Sequence, residues 1–230
     1  MDDRELVEYF AELARRLTAL SGVEETMGVI VAAAVDLLEC DHVSLSYLHG
    51  KELRSASSND DVGPLLDAIQ TELQEGPCLD VIRTGGIVVS DDLANDDRWP
   101  RFGPRAAGVA SVASTMGTEL HDGRRTIGAL NLFSSSPGGF GPDARRDALV
   151  AVLSAHATPA LAGAIEREAA AAALATRDLI GQAKGILMAR SGVDADEAFR
   201  LLVRASQRTN VKVAEIARDV VARNPTKPAD

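Results

Sequence analysis

Aromatic residues make up only 3% of this 230-residue chain: one Trp, two Tyr and five Phe. Its core must be built from Ala, Val, Leu and Ile, and recognition by aromatic cages or stacking platforms is restricted from the start. Cysteine is as scarce. Two residues, Cys40 and Cys78, cannot form a disulfide framework. The four histidines, His42, His49, His121 and His156, show no metal-ligand spacing, so no metal is predicted. The N-terminus MDDRELVEYF is acidic and has no cationic stretch followed by an apolar one, which points to the cytoplasm. The longest apolar run, ALVAVLSAHATPALAGAI, is mostly alanine and is broken by Ser154, His156, Thr158 and Pro159, so a packed helix is expected rather than a membrane partner.

What is present is an uneven charge. The formal charge is −10, but residues 176–230 carry ten Lys or Arg against seven Asp or Glu, whereas residues 1–175 carry fourteen against twenty-seven. A net −13 body therefore ends in a net +3 tail. Because a positive patch attracts phosphates, this distribution decides more about partners than the total does.

Helical periodicity opens the chain at Leu6, Phe10, Leu13 and Leu17, breaks at Ser21-Gly22, and resumes through Met27, Ile30, Val31, Ala34 and Leu38. HVSLSYLH then alternates Val43, Leu45 and Tyr47 with Ser44 and Ser46, the two-residue period of a strand. ELRSASS can pair with it across His49-Gly50, PLLDAIQTEL reads as a helix and IVVS as a short strand. DDLANDDRWPRF reads as a long polar loop, and SVASTMGTEL with TIGALNLFSS as a hairpin around HDGRR. These elements predict an α+β fold, an antiparallel sheet with helices on one face.

The phrases EGPCLDVIRTGGIVVSDDLANDDRWPRFGPRA, SVASTMGTEL and IGALNLFSSSPGGFGPDARRDALVAVLSAHA resemble a GAF domain over roughly residues 20–165. The resemblance implies a sensory module that holds a small molecule, a chromophore or nothing in a pocket over the sheet; which ligand is unknown. Of the constellation carried by cyclic-nucleotide-binding members, only Asn131, Phe140 and Asp143 match, and these occur in GAF domains generally, so that ligand is not expected. Cys78 follows Pro77 at a helix start, where the dipole could activate a thiol; the alternative is a small core cysteine. Trp99 either belongs to a lid or plugs the core edge beside a paired Arg98. No Cys-His or Ser-His pair and no phosphate-cradling glycine loop are found, so no enzyme is expected.

From Pro159 the chain reads as one alanine-rich helix. Leu161, Ile165, Glu168, Ala172, Ala175, Leu179 and Gln182 alternate steps of four and three, the seam of a coiled coil, which suggests a homodimer; packing back on the chain's own first domain is the alternative. After Ser191-Gly192 a second helix is predicted, capped by Asp194 with Glu197 completing a capping box, then a third ending at Asn224-Pro225. Ile186, Leu187, Phe199, Leu202, Ile216 and Val220 are expected to face inward, and Gly185 to permit close contact between helices. Lys184 is then left pointing outward. The expected division is 1–158 for the sensor with its N-terminal helix, 159–224 for the coiled coil and three-helix bundle, and 225–230 for a flexible tail.

The run RDLIGQAKGILMARSGVDADEAFRLLVRASQRTNVKVAEIARDVV resembles the ANTAR domain, which implies RNA binding and transcription antitermination. Val213 stands where leucine is usual. Related proteins recognise two closely spaced hexaloop stems, so hairpin loops in mRNA leaders are the implied partner, with the transcription machinery touched only indirectly. From the residues themselves, Arg200, Arg204 and Arg208 recur on one helical face, with Lys212 beyond. Asp196 can pair with Arg200, while Arg204, Arg208 and Lys212 have no such neighbour. Lys184, Arg190, Arg204, Ser206, Gln207, Arg208, Thr209, Asn210 and Lys212 are therefore the candidate RNA contacts. DNA reading by a helix-turn-helix is not expected, because the last helix would begin with Ala214 and Glu215 against phosphates. Together these features predict a signal-responsive RNA-binding regulator, gated through the long helix near Pro159; the alternative is a small-molecule-binding protein whose helical tail dimerises or docks a protein partner.

Overall fold

The computed structural model describes residues 1–50 and 52–224, and the tail expected at 225–230 lies outside the described residues. Two compact units divide the chain at Glu166/Arg167. The first opens with helices α1 (Asp3–Ala19) and α2 (Val23–Leu37). In α1, Asp2 accepts from the Glu5 amide at 2.8 Å while Glu5 accepts from the Asp2 amide at 2.7 Å, a reciprocal cap that satisfies two otherwise orphan donors.

Strands β1 (His42–His49) and β2 (Glu52–Ser58) follow, then α3 (Val62–Leu73), α4 (Pro77–Thr84), β3 (Ile87–Ser90), α5 (Phe102–Ala110) and the hairpin β4 (Ser114–His121) to β5 (Thr126–Ser134). The sheet order is β2-β1-β5-β4-β3, antiparallel throughout. The α+β class and the antiparallel sheet are as expected, but the helices, expected on one face, cover both. Val43, Leu45, Met116, Leu120, Leu130 and Leu132 turn to α1, α2 and the final helix of this unit. Phe133, one position out of phase, packs with Leu66, Ile69, Trp99, Phe102 and Ala106 of the other layer. The period of two sends Val43, Leu45, Leu130 and Leu132 to one layer and Ser44, Ser46, Asn131 and Phe133 to the other, so one face is apolar and the other mixed, and in β5 every residue from Ile127 to Ser134 is buried.

The polar loop expected at residues 91–102 contains a 3-10 turn at Leu93–Asn95 and runs into α5, a helix the pattern FGPRAAGVA had not disclosed. Gly103 is required there: a Cβ on it would stand 1.9 Å from the Leu93 carbonyl oxygen. Trp99 is 1% exposed and donates from Nε1 to Asp80 Oδ2 at 2.9 Å. Arg98 lies 4.5 Å from its ring centroid and bonds Asp96 at 2.6 Å. That pair pulls the Asp96 carboxyl down to about 2. Trp99 is thus a core plug rather than a lid.

The helix expected to start at Pro159 starts fifteen residues earlier: α6 is Ala144–Ser191 with Pro159 inside it. The proline withholds one donor, so the Ala155 carbonyl loses its helical partner while the helix continues. Among the described residues α6 alone is long and apolar enough to cross a membrane by length and composition. Its Val150, Leu153, Ala157, Leu161 and Ala164 are buried in the first core.

In the second unit, α6 is followed by α7 (Ala195–Thr209) and α8 (Val213–Ala222). Its core is small: Ala183, Leu202 and Ala217, ringed by Leu179, Ile180, Leu187, Val213, Ile216, Val220 and Val221. One inward assignment fails: Phe199 is 42% exposed, while Ile186 is half-buried. At 3.6 residues per turn Phe199 lies about a hundred degrees around the axis from the buried Ala198 and about sixty from Leu202. Gly185 is also not a packing glycine, since a Cβ there would meet nothing within 4 Å. The buried small residue is Ala183.

Candidate nucleic-acid interface

Asp194 caps α7 by accepting from the Glu197 amide at 2.7 Å. The reciprocal half of the expected capping box is missing, because the Glu197 side chain turns the other way along the helix. Its Oε2 accepts from Arg200 Nε at 2.7 Å and its Oε1 from Arg204. The two guanidinium groups, Arg204 first, hold the Glu197 carboxyl below its usual range. Two expectations are corrected by this triad. Arg200 pairs with Glu197 rather than Asp196, and Arg204 has a local partner after all. Both guanidinium groups stay more than half exposed, so water and salt screen the pairs and a phosphate can compete for them.

The other candidates divide by what already occupies them. Arg190, in the last turn of α6, donates to Asn224 Oδ1 at 2.7 Å. Ser206 Oγ donates to the Val211 carbonyl at 2.5 Å and Thr209 Oγ1 to the Ala205 carbonyl at 2.8 Å, so both hydroxyl protons are spent on the chain's own backbone. Asn210 ends α7 at φ 54, ψ 33, the left-handed cap that asparagine adopts readily, which accounts for its presence without RNA. Gln207, Arg208 and Lys212 remain, exposed around the α7–α8 turn, and among the described residues Arg208 and Lys212 have no ion pair or side-chain hydrogen bond. Arg208 also lies in the last turn of α7, where a cation favours the helix dipole. Lys184 is half-buried on α6, with its Nζ 6.0 Å from the Phe199 ring centroid. Sequence reasoning placed Phe199 in the core, although it lies about a hundred degrees around the helix from the buried Ala198.

The first unit holds a polar interior between the sheet and α3–α4. Asp67 is buried and accepts from Ser44 Oγ at 3.2 Å, Ser46 Oγ at 3.0 Å and Gln70 Nε2 at 3.3 Å. Asn131 donates to Ser44 Oγ at 3.3 Å, and Gln70 accepts from the Cys78 amide at 2.8 Å. Cys78 is the core cysteine of the two readings: burial, reinforced by Asp67, pushes its thiol up to about 12. Among the described residues no group of three or more His, Cys, Asp or Glu could hold a metal ion.

The sheet with a helical layer on each face, followed by a helical unit, coincides with two family models. The GAF domain model matches residues 21–162 and the ANTAR domain model residues 168–221. This chain belongs to the GAF family and carries an ANTAR domain behind it. No curated protein matches it. Solved structures similar to it include the GAF domain from a Coxiella burnetii phosphoenolpyruvate-protein phosphotransferase, with TM-score 0.56, 14% identity, and coverage of 74% of this chain and 99% of that one. The GAF domain of the Acinetobacter phosphoenolpyruvate-protein phosphotransferase is similar at TM-score 0.55 and 16% identity, covering 71% and 96%. A free methionine-R-sulfoxide reductase from Neisseria meningitidis, solved with its substrate, is similar at TM-score 0.55 and 14% identity, covering 72% and 95%. These likenesses establish the fold of the GAF domain, a fold that serves sensors and enzymes alike. GAF and ANTAR are both regulatory domains, and the pair is that of a sensor-regulated RNA-binding regulator.

Proposed function

We propose that the chain is a transcription antitermination regulator whose ANTAR domain binds hairpin loops in mRNA leaders as a homodimer, under control of a signal sensed by the GAF domain. The observation that carries the reading is the α7–α8 turn, where Arg208 and Lys212 stand exposed and without partners among the described residues, beside Gln207. Cations placed so contact phosphates, while the Gln207 amide and the Arg planes suit unpaired bases. Duplex DNA is the poorer target, because Lys212 precedes α8 but Glu215 occupies its first turn. The expected contacts of Lys184, Arg190 and Arg204 belong to the same proposal, with Arg204 exchanging Glu197 for phosphate. Ser206, Thr209 and Asn210 contribute through acceptor atoms and turn shape.

Support for a dimer comes from α6. Residues 166–178 are exposed throughout, including Leu174 at 61%, so the seam positions Glu168, Ala172 and Ala175 are uncovered in a single chain. Seam positions Leu161 and Leu179, by contrast, serve the cores of the two units. Signal passes along α6, where the hydrogen bond removed by Pro159 is the weak point. The test is fluorescence anisotropy of a labelled tandem hexaloop hairpin RNA against duplex DNA of equal length. Tighter binding to the RNA, falling steeply with salt, is expected; equal affinities or a flat salt response would favour a dimerising or partner-docking tail. Equal RNA affinity of the full chain and of residues 160–230, whatever ligand is added, would refute the gate.

A further inference from the structure

We infer that the exposed ring of Phe199 is a stacking platform for one unpaired base of the bound RNA, with the Lys184 ammonium set beside it for that nucleotide's phosphate. The inference rests on the RNA-binding reading and names how the loop is held.

Phe199 is the sole aromatic residue of the ANTAR domain, in a chain where aromatics are rare. Its large apolar side chain gains nothing from water, yet it is 42% exposed while Ala198 beside it is buried. The small core around Leu202 forms without it. Lys184 Nζ lies 6.0 Å from the ring centroid, within reach of the attraction between a cation and a π-face. An aromatic ring with an ammonium 6.0 Å from its centroid offers the two groups by which single-stranded nucleic acid is held, a surface for the base and a charge for its backbone.

The strip of α6 that carries Lys184 is uncovered. Met188, one turn beyond Lys184 on α6, is 38% exposed. Gly181 and Gly185 fall on the strip leading to it, and a Cβ at either would meet nothing within 4 Å. Glycine weakens a helix interior, and these two return no internal packing for that cost; they leave room for something outside the chain. Charge favours a nucleotide as that occupant. Lys184 has no acidic partner among the described residues, and a two-fold contact between copies at this shelf would bring two such lysines together.

The experiment uses the full-length protein and a tandem hexaloop hairpin RNA carrying 2-aminopurine at each loop position in turn. Quenching at one position on binding is expected for the wild type, and its loss in Phe199→Leu, with affinity falling about 5- to 150-fold. Phe199→Trp should keep both. Lys184→Ala should weaken binding to all loop sequences alike and make the salt slope shallower by about 0.7–0.9. Phe199→Leu that binds and quenches like the wild type would overturn the inference while leaving RNA binding intact. Dissociation of a dimer by Phe199→Leu in sedimentation equilibrium, with unchanged quenching, would assign the ring to a second copy and overturn it too. A wild type that binds no RNA would overturn the function and this inference together.

Discussion

Replacing Glu197 with Gln should strengthen RNA binding at low salt and make it more salt-sensitive. Glu197 neutralises the α7 face by holding Arg200 at 2.7 Å and Arg204 beside it. The cap of α7 survives the change, because Asp194 bonds the Glu197 backbone amide rather than its carboxylate. Glutamine keeps the length of the side chain and loses the charge, so two guanidinium groups are released on a surface that already carries the exposed Arg208. Each released cation that takes up a phosphate steepens the log–log salt slope by about 0.7–0.9, so both together add about 1.4–1.8. Between roughly 50 and 200 mM salt, the variant should lose about 7- to 12-fold more affinity than the wild type does. Protonation cannot mimic the substitution near neutral pH. The arginines depress the Glu197 carboxyl, so its pairs are intact above the ordinary glutamate value of about 4.3 and open only as pH falls below that. Anisotropy titrations across a salt series, with circular dichroism to confirm the fold, give the answer. A slope equal to or shallower than that of the wild type would refute the reasoning.

Trp99→Phe removes the 2.9 Å bond from Nε1 to Asp80 and shrinks a buried ring, so it should cost about 2 kcal/mol and lower the calorimetric midpoint of the GAF domain by roughly 4–8 °C. Leu202→Ala empties the centre of the ANTAR core and should cost about 2–5 kcal/mol, seen as loss of the ANTAR melting transition and of RNA binding with the GAF transition unmoved. Burial pushes both thiols, Cys40 and Cys78, up to about 12, so neither should react with iodoacetamide at pH 8 in the native protein, whereas mass spectrometry should find both modified after unfolding.

The sheet was legible because a period of two and the Asp122-Gly123 turn determine which residues face each other; β4 and β5 pair as the HDGRR hairpin implies. The helix α7 was legible through Asp194, whose cap forms. What was not legible depends on long-range packing. Nothing local in FGPRAAGVA marks a helix that fits against the Leu93 carbonyl, and Pro159 gave no sign that the helix on either side of it is continuous. Of the candidate interface, Arg208 and Lys212, without partners among the described residues, were visible as charges without local acids, but Arg204 was misjudged because its partner Glu197 lies seven residues back, two turns along the same face. Phe199 was assigned to the core by residue type, although it lies about a hundred degrees around the helix from the buried Ala198.

The claim on which all of this depends is that the ANTAR domain grips folded RNA in the cell. Crosslinking the full-length protein to RNA in cells and sequencing what is bound, beside a variant with Lys184 and Arg204 replaced by alanine, tests it most directly. The account predicts reads concentrated on paired stem-loops in mRNA leaders and lost in the variant. Reads spread without regard to structure, or equally abundant in the variant, would contradict it.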